Sequence, residues 1–139
     1  MEAIGARACA LSATDNDLRK LRHHLKDLEA AFDTNDIVDV LRATTEFYET
    51  LFKSGGKTVA WTIIQQLNAR INSLRSMTFM SPGRAKKFLN EMHNILSAVE
   101  ARNASEAEQA CVAHVKKAHR VALAVFDARN ESPAPRARL

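Results

Sequence analysis

Apolar residues recur along most of this chain every three or four positions, the interval at which side chains share one face of an α-helix. The clearest run is Ile37, Val40, Leu41, Thr44, Phe47, Tyr48 and Leu51, closed by Ser54-Gly55-Gly56. Glycine ends a helix readily because it takes the left-handed conformation without steric cost. Before it, Thr14 with Asp17 caps a helix whose inner side is Leu18, Leu21, Leu25, Leu28 and Phe32, reaching about Asp33. Residues 2–12 form a short helix of small residues, with Ile4, Ala8 and Leu11 as its expected apolar side.

The same period continues beyond the glycines. Thr34-Asn35-Asp36 opens the third helix, and Lys57 to about Met77 makes a fourth on the stripe Trp61, Ile64, Leu67, Ile71 and Leu74. Thr78-Phe79-Met80 reads as a connector. Ser81-Pro82 starts a fifth helix to about Arg102, burying Ala85, Phe88, Leu89, Met92, Ile95, Leu96 and Val99. Asn103 with Glu106 caps a sixth, with Ala107, Ala110, Cys111, His114, Ala118, Val121, Ala122 and Val125 on one side, ending near Arg129. The expected architecture is an all-α antiparallel bundle of about six helices in one domain, residues 1–130. The tail 131–139 has two prolines and no period, and is expected to be disordered.

Composition supports this picture. The 139 residues are 46% hydrophobic and 26% charged, with four glycines, three prolines, one Trp and one Tyr, a balance that suits helices rather than sheet. No apolar run reaches the roughly 20 residues that span a bilayer, and no signal-peptide layout is present, so a cytoplasmic protein is expected. The net charge is +4, but basic and acidic residues are interleaved along nearly every helix, which describes a solvated surface better than a nucleic-acid face. Cys9 and Cys111 are distant and ungrouped, and read as buried free thiols. His23 and His24 point about 100° apart on their helix and read as surface histidines. No nucleophile with its base, phosphate loop or inward carboxylate pair occurs, so no enzyme is expected.

Three stretches carry a family resemblance. Thr44-Thr45-Glu46-Phe47-Tyr48-Glu49-Thr50-Leu51 with its Ser54-Gly55-Gly56 stop, Ser81-Pro82-Gly83-Arg84 leading to Glu91-Met92-His93-Asn94-Ile95-Leu96-Ser97-Ala98-Val99, and Asn103 to Ala110 followed by His114 resemble, in order and spacing, the FCD domain. That domain is the all-helical effector-binding half of FadR-type regulators in the GntR family, and the resemblance extends from about Glu2 to Phe126. It implies a ligand-responsive regulatory domain that forms a homodimer and controls an attached winged helix-turn-helix. The chain starts at the first FCD helix, so DNA contact would come only through that missing domain, and the chain is either a fragment or a lone sensor.

Family members commonly hold a metal at four positions, which the resemblance places at Thr44, Tyr48, Met92 and His114. Only His114 keeps a metal-binding side chain; a hydroxyl, a phenol and a thioether are poor substitutes. On that ground the protein is expected to bind no zinc, nickel or manganese and to carry no cofactor. The same four residues, with Arg70 pairing a carboxylate, are expected to line a pocket for a small organic acid or acyl compound. The alternative is a structural dimerisation module with a filled pocket, in which Met92 fills the core, His114 bonds to Tyr48 and Arg70 reaches water.

Overall fold

The computed structural model describes residues 2–131, and among these every regular element is helical: α1 (Glu2–Ser12), α2 (Asp15–Asp33), α3 (Ile37–Ser54), α4 (Thr58–Gln66), α5 (Asn68–Phe79), α6 (Arg84–Glu100) and α7 (Ala104–Glu131). The proline-containing stretch 132–139 lies outside the described residues, while Glu131 belongs to the last turn of α7. The fold is the expected all-α bundle with seven helices in place of six.

Local chemistry fixes several of the boundaries. Thr14 and Asp17 form a reciprocal capping box at the start of α2: the Asp17 amide donates to Thr14 Oγ1 at 3.1 Å and the Thr14 amide to Asp17 Oδ2 at 2.9 Å. Asp36 caps α3 by accepting from the Asp39 amide at 3.2 Å, and Asn103 caps α7 by accepting from the Glu106 amide at 3.1 Å. Ser81-Pro82 behaves differently from its sequence expectation. Those residues form a tight turn that closes with the Arg84 amide on Ser81 O at 3.1 Å, and the helix begins only after left-handed Gly83.

The expected fourth helix is two helices. Leu67, at φ −98° and ψ 0°, ends α4 and precedes α5. The break lets α4 lie on α3, where Trp61 is buried beside Phe52, while α5 packs on α7. It also splits the apolar stripe: Trp61 is buried, Ile64 and Ile71 are half-buried, and Leu67 and Leu74 are exposed. The former connector residues Thr78 and Phe79 are buried at the end of α5.

The core forms where α2 lies on α3, α6 on α7, and α1 on both α3 and α7. Leu21, Leu28, Val40, Phe47, Leu51, Phe52, Met92, Ile95 and Val99 are its largest wholly enclosed apolar side chains, each large one contributing about 1.5–3 kcal/mol. Helix α1 buries the face opposite to the expected one. Gly5, Ala6, Cys9 and Ala10 point inward, whereas Ile4 and Leu11 are exposed. The small face permits close approach: a Cβ on Gly5 would stand 2.9 Å from the Phe52 ring. Cys9 and Cys111 are free and buried, as expected, and desolvation pushes the Cys111 thiol up to about 12.

The two glycines that follow α3 have separate tasks. Gly56 takes the left-handed turn, at φ +70°. Gly55 has an ordinary φ of −84°, but a Cβ there would sit 2.7 Å from Ala8 Cβ and 2.9 Å from the Cys9 amide nitrogen. Gly55→Ala is therefore expected to cost about 1–3 kcal/mol through overpacking against a backbone that cannot yield cheaply. Gly56→Ala meets open space and should cost about 1–2 kcal/mol from conformation alone. Urea denaturation of the two variants separates these causes, because removing the Ala8 methyl by Ala8→Gly should relieve part of the first, the contact with Ala8 Cβ, and leave the second unchanged.

Candidate effector site

Helices α3, α6 and α7 bring four of the five expected site residues into the interior. Thr44 and Met92 are wholly enclosed, and Tyr48 and His114 nearly so. The geometry leaves no metal-ligand set among them. Thr44 Oγ1 donates back to Val40 O at 2.7 Å, so its hydroxyl is committed to its own helix. The Tyr48 hydroxyl donates to Met92 Sδ at 3.9 Å, and burial holds that phenol well above its ordinary range, in the neutral form. A neutral phenol, a thioether and a back-bonded hydroxyl, with a single imidazole as the fourth group, do not make a ligand set that fits a divalent ion.

The fifth residue is elsewhere. Arg70 stands exposed on α5, because the break at Leu67 turns the helix frame on which its inward placement depended. It is Arg75 that approaches the interior, with its guanidinium 5.2 Å from the centre of the Tyr48 ring. A cation over an aromatic face at that distance is attracted by the ring quadrupole.

His114 bonds to Glu91 rather than to Tyr48. Its Nδ1 lies 2.7 Å from Glu91 Oε1, and since an ionised carboxylate only accepts, Nδ1 carries the hydrogen. Arg84 holds the same carboxylate with a two-pronged grip, Nη1 to Oε2 at 2.7 Å and Nη2 to Oε1 at 3.1 Å. All three side chains are at least nine-tenths buried. Burial is the largest influence on Glu91 and raises its pKa, but the hydrogen bonds and charges of His114 and Arg84 together outweigh it and hold the carboxyl below its usual 4.5. Phe88 packs beside both partners of Glu91, 5.4 Å from the His114 ring centre and 5.7 Å from the Arg84 guanidinium.

Sequence reasoning missed this triad. Arg84 and Glu91 are seven apart, two helical turns, and so share the α6 face that carries Phe88 and Met92. That spacing was the available signal, and charge obscured it.

Above the triad a groove of about 430 Å³ runs between α6 and α7. Its walls carry the cations Arg84, Lys87, Lys117 and Arg120 and the amides Asn90 and Asn94, with Glu91 as the one acid. Arg84 Nε is buried there without a hydrogen-bond partner. An unpaired buried donor is costly, and here it stands beside the ion pair that the other two guanidinium nitrogens make with Glu91.

The described residues thus form an all-helical bundle with a cationic groove over a buried polar triad. Residues 1–117 match the family model of the FCD domain, and the chain belongs to that family, the regulatory domain of GntR-type transcription regulators. It is 23% identical over 117 residues to the HTH-type transcriptional repressor RspR of Escherichia coli, covering 84% of this chain and 51% of that protein. It is equally similar to the HTH-type transcriptional regulator YdfH of Shigella flexneri, also 23% identical over 117 residues, with the same 84% and 51% coverage. The chain thus spans about half the length of these curated relatives. The solved structure of E. coli McbR/YncC shares the fold, with a TM-score of 0.77 at 15% identity over 88% of this chain and 62% of that one.

Proposed function

We propose that the protein is the effector-sensing domain of a transcription regulator and that its effector is a small organic acid or acyl compound bound in the α6–α7 groove. The observation that carries this reading is Arg84: nearly buried, gripping Glu91 with two nitrogens, and lining a groove whose other walls carry three more cations. A carboxylate entering there meets Arg84, Lys117 and Arg120 and the amides of Asn90 and Asn94, a set that suits a small anion with hydrogen-bonding substituents. Competition for Arg84 would loosen its hold on Glu91 and hence on His114 of α7, which links occupancy to the relative placement of two long helices. The relatives' names, repressor and regulator, support an output through DNA by an attached domain in the cytoplasm. No helix among the described residues is long and apolar enough to cross a membrane.

A thermal-shift series of mono-, di- and tricarboxylates and acyl thioesters against their neutral amides tests the reading. Acids should raise the melting temperature and amides should not. A second reading has its own support: Thr44, Tyr48 and Met92 are all enclosed in the centre, with the Tyr48 hydroxyl against Met92 Sδ, as in a dimerisation module with a filled pocket. Failure of every acid to stabilise the protein would favour that reading.

We also infer a homodimer. Val59, Ile63 and Leu67 are exposed at four-residue intervals on one side of α4 and its end, an apolar strip that a second copy would cover. Ile63→Asp should shift the protein from dimer to monomer in light scattering over a dilution series. A wild type that is monomeric at every concentration would contradict the inference.

A further inference from the structure

The pair α2 and α3 carries a second polar cluster, away from the four positions at which relatives of this family bind metal. His24 and Asp27 are three apart on α2 and so occupy one face, and Glu46 meets them from α3. One ligand atom from each lies within 4.8 Å of the other two. The His24 ring is the most enclosed of the three, its side chain 17% exposed against 42% for Glu46. Its Nε2 lies 3.1 Å from Thr50 Oγ1. Its Nδ1 is shielded from solvent, has no hydrogen-bond partner, and stands 3.6 Å from Glu46 Oε2.

Neither imidazole tautomer satisfies this arrangement. With the hydrogen on Nε2 donated to Thr50, a bare Nδ1 lone pair confronts a carboxylate that also only accepts. With the hydrogen on Nδ1, the N–H stops at 3.6 Å, beyond hydrogen-bond length. A cation between the two atoms resolves the first case and gives every group a partner. The spacing suits one: ligands held at about 2.0–2.1 Å by a tetrahedral zinc ion are about 3.4 Å apart. The Nε2–H bond to Thr50 then serves as the outer support that orients a ligating imidazole. Asp27 is the adjustable member. It is exposed and paired only with exposed His23 at 3.3 Å, a contact of little energetic weight.

We propose that His24, Asp27 and Glu46 form a site for a divalent late first-row metal ion, zinc by preference, that staples α2 to α3 and keeps an open position for water. One nitrogen and two carboxylate ligands suit zinc or its neighbours better than calcium or magnesium, which take oxygen ligands. The site is distinct from the closed centre at Thr44, Tyr48, Met92 and His114, and it revises the expectation, drawn from those four positions alone, that the chain takes up no zinc. It does not depend on the acid-effector reading.

The test is calorimetric titration of zinc chloride into the chelator-stripped and dialysed full chain, with cobalt chloride as a spectroscopic probe. The expected result is one zinc ion per chain, a rise in melting temperature with zinc, and a visible cobalt absorption band. His24→Gln and Glu46→Gln should each weaken zinc by more than the roughly 10–100-fold that loss of an outer-shell partner costs. His93→Gln removes another histidine–carboxylate pair, His93 to Glu29 at 2.5 Å, and should leave zinc binding unchanged. Glu46 is partly exposed, so its variant should fold and keep the comparison valid if His24→Gln does not. Absence of zinc binding by wild type, or binding that survives both Gln variants, would overturn the proposal.

Discussion

Glu91→Leu is expected to destabilise the protein by about 3–5 kcal/mol, the cost of leaving the buried Arg84 cation without its counter-charge and the His114 N–H without its acceptor. Arg84 and His114 both depend on this carboxylate and both are buried. A loss of that size is a large part of the roughly 5–15 kcal/mol by which a domain is stable. The double variant Arg84→Met with Glu91→Leu should recover much of it, because removing both charges also removes their desolvation cost. Recovery should be incomplete, since His114 would keep an unpaired Nδ1. Urea midpoints of the three proteins measure this, and a Glu91→Leu chain as stable as wild type would show the triad to be energetically idle.

The same triad sets a dependence on acid. The carboxyl of Glu91 is held below its usual 4.5 in the folded protein, so the folded state releases its proton more readily than the unfolded state. The stabilisation is fully present above that ordinary value and is lost as pH falls through the lower folded one. The stability gap between wild type and Glu91→Leu should therefore narrow only below about pH 4.5.

The second large effect concerns the groove. Lys117→Glu combined with Arg120→Glu should reduce the affinity for a bound acid by more than about a hundredfold, since each hydrogen bond to a charged group contributes about 1.5–3 kcal/mol. Both residues are exposed on α7, so folding stability should change by no more than about 0.5 kcal/mol. That contrast separates a ligand contact from a structural one. Arg70→Ala should leave acid binding unaltered, because Arg70 is on the exposed side of α5. Competition titrations with any stabilising acid provide both numbers.

Much of this architecture was legible in the chain. The stripes of α2, α3 and α6 are long and regular, and their caps at Thr14, Asp36 and Asn103 use side chains that advertise themselves. The interior placement of Thr44, Tyr48, Met92 and His114 followed from the same periodicity. What failed did so for identifiable reasons. The break at Leu67 has no Gly, no Pro and no side-chain cap hydrogen bond to announce it; it arises because α4 and α5 dock on different neighbours. The face of α1 was misjudged because apolar size, rather than close approach, was used to choose it, and the small residues Gly5, Ala6, Cys9 and Ala10 won the interior.

The site was harder to read than the fold. Periodicity assigns charged residues to the outside by default, yet Arg84 and Glu91 pair within the core, which is permissible because three groups satisfy one another. Adjacent histidines diverge on a helix, which by itself puts both His23 and His24 at the surface, and only the docking of α3 shows that His24 is enclosed against Thr50 and Glu46. Such tertiary encounters leave little trace in local sequence.

An effector acid bound between α6 and α7, and not in the closed centre of the bundle, leaves its mark on particular backbone amides. Backbone amide shifts of the isotope-labelled chain, titrated with whichever carboxylate stabilises it most, locate the ligand directly. The largest saturable shifts are expected at Arg84, Lys87, Asn94, Lys117 and Arg120, with His114 following as Arg84 is drawn from Glu91. Shifts concentrated at Thr44, Tyr48 and Met92, with the groove residues silent, would contradict binding in the groove.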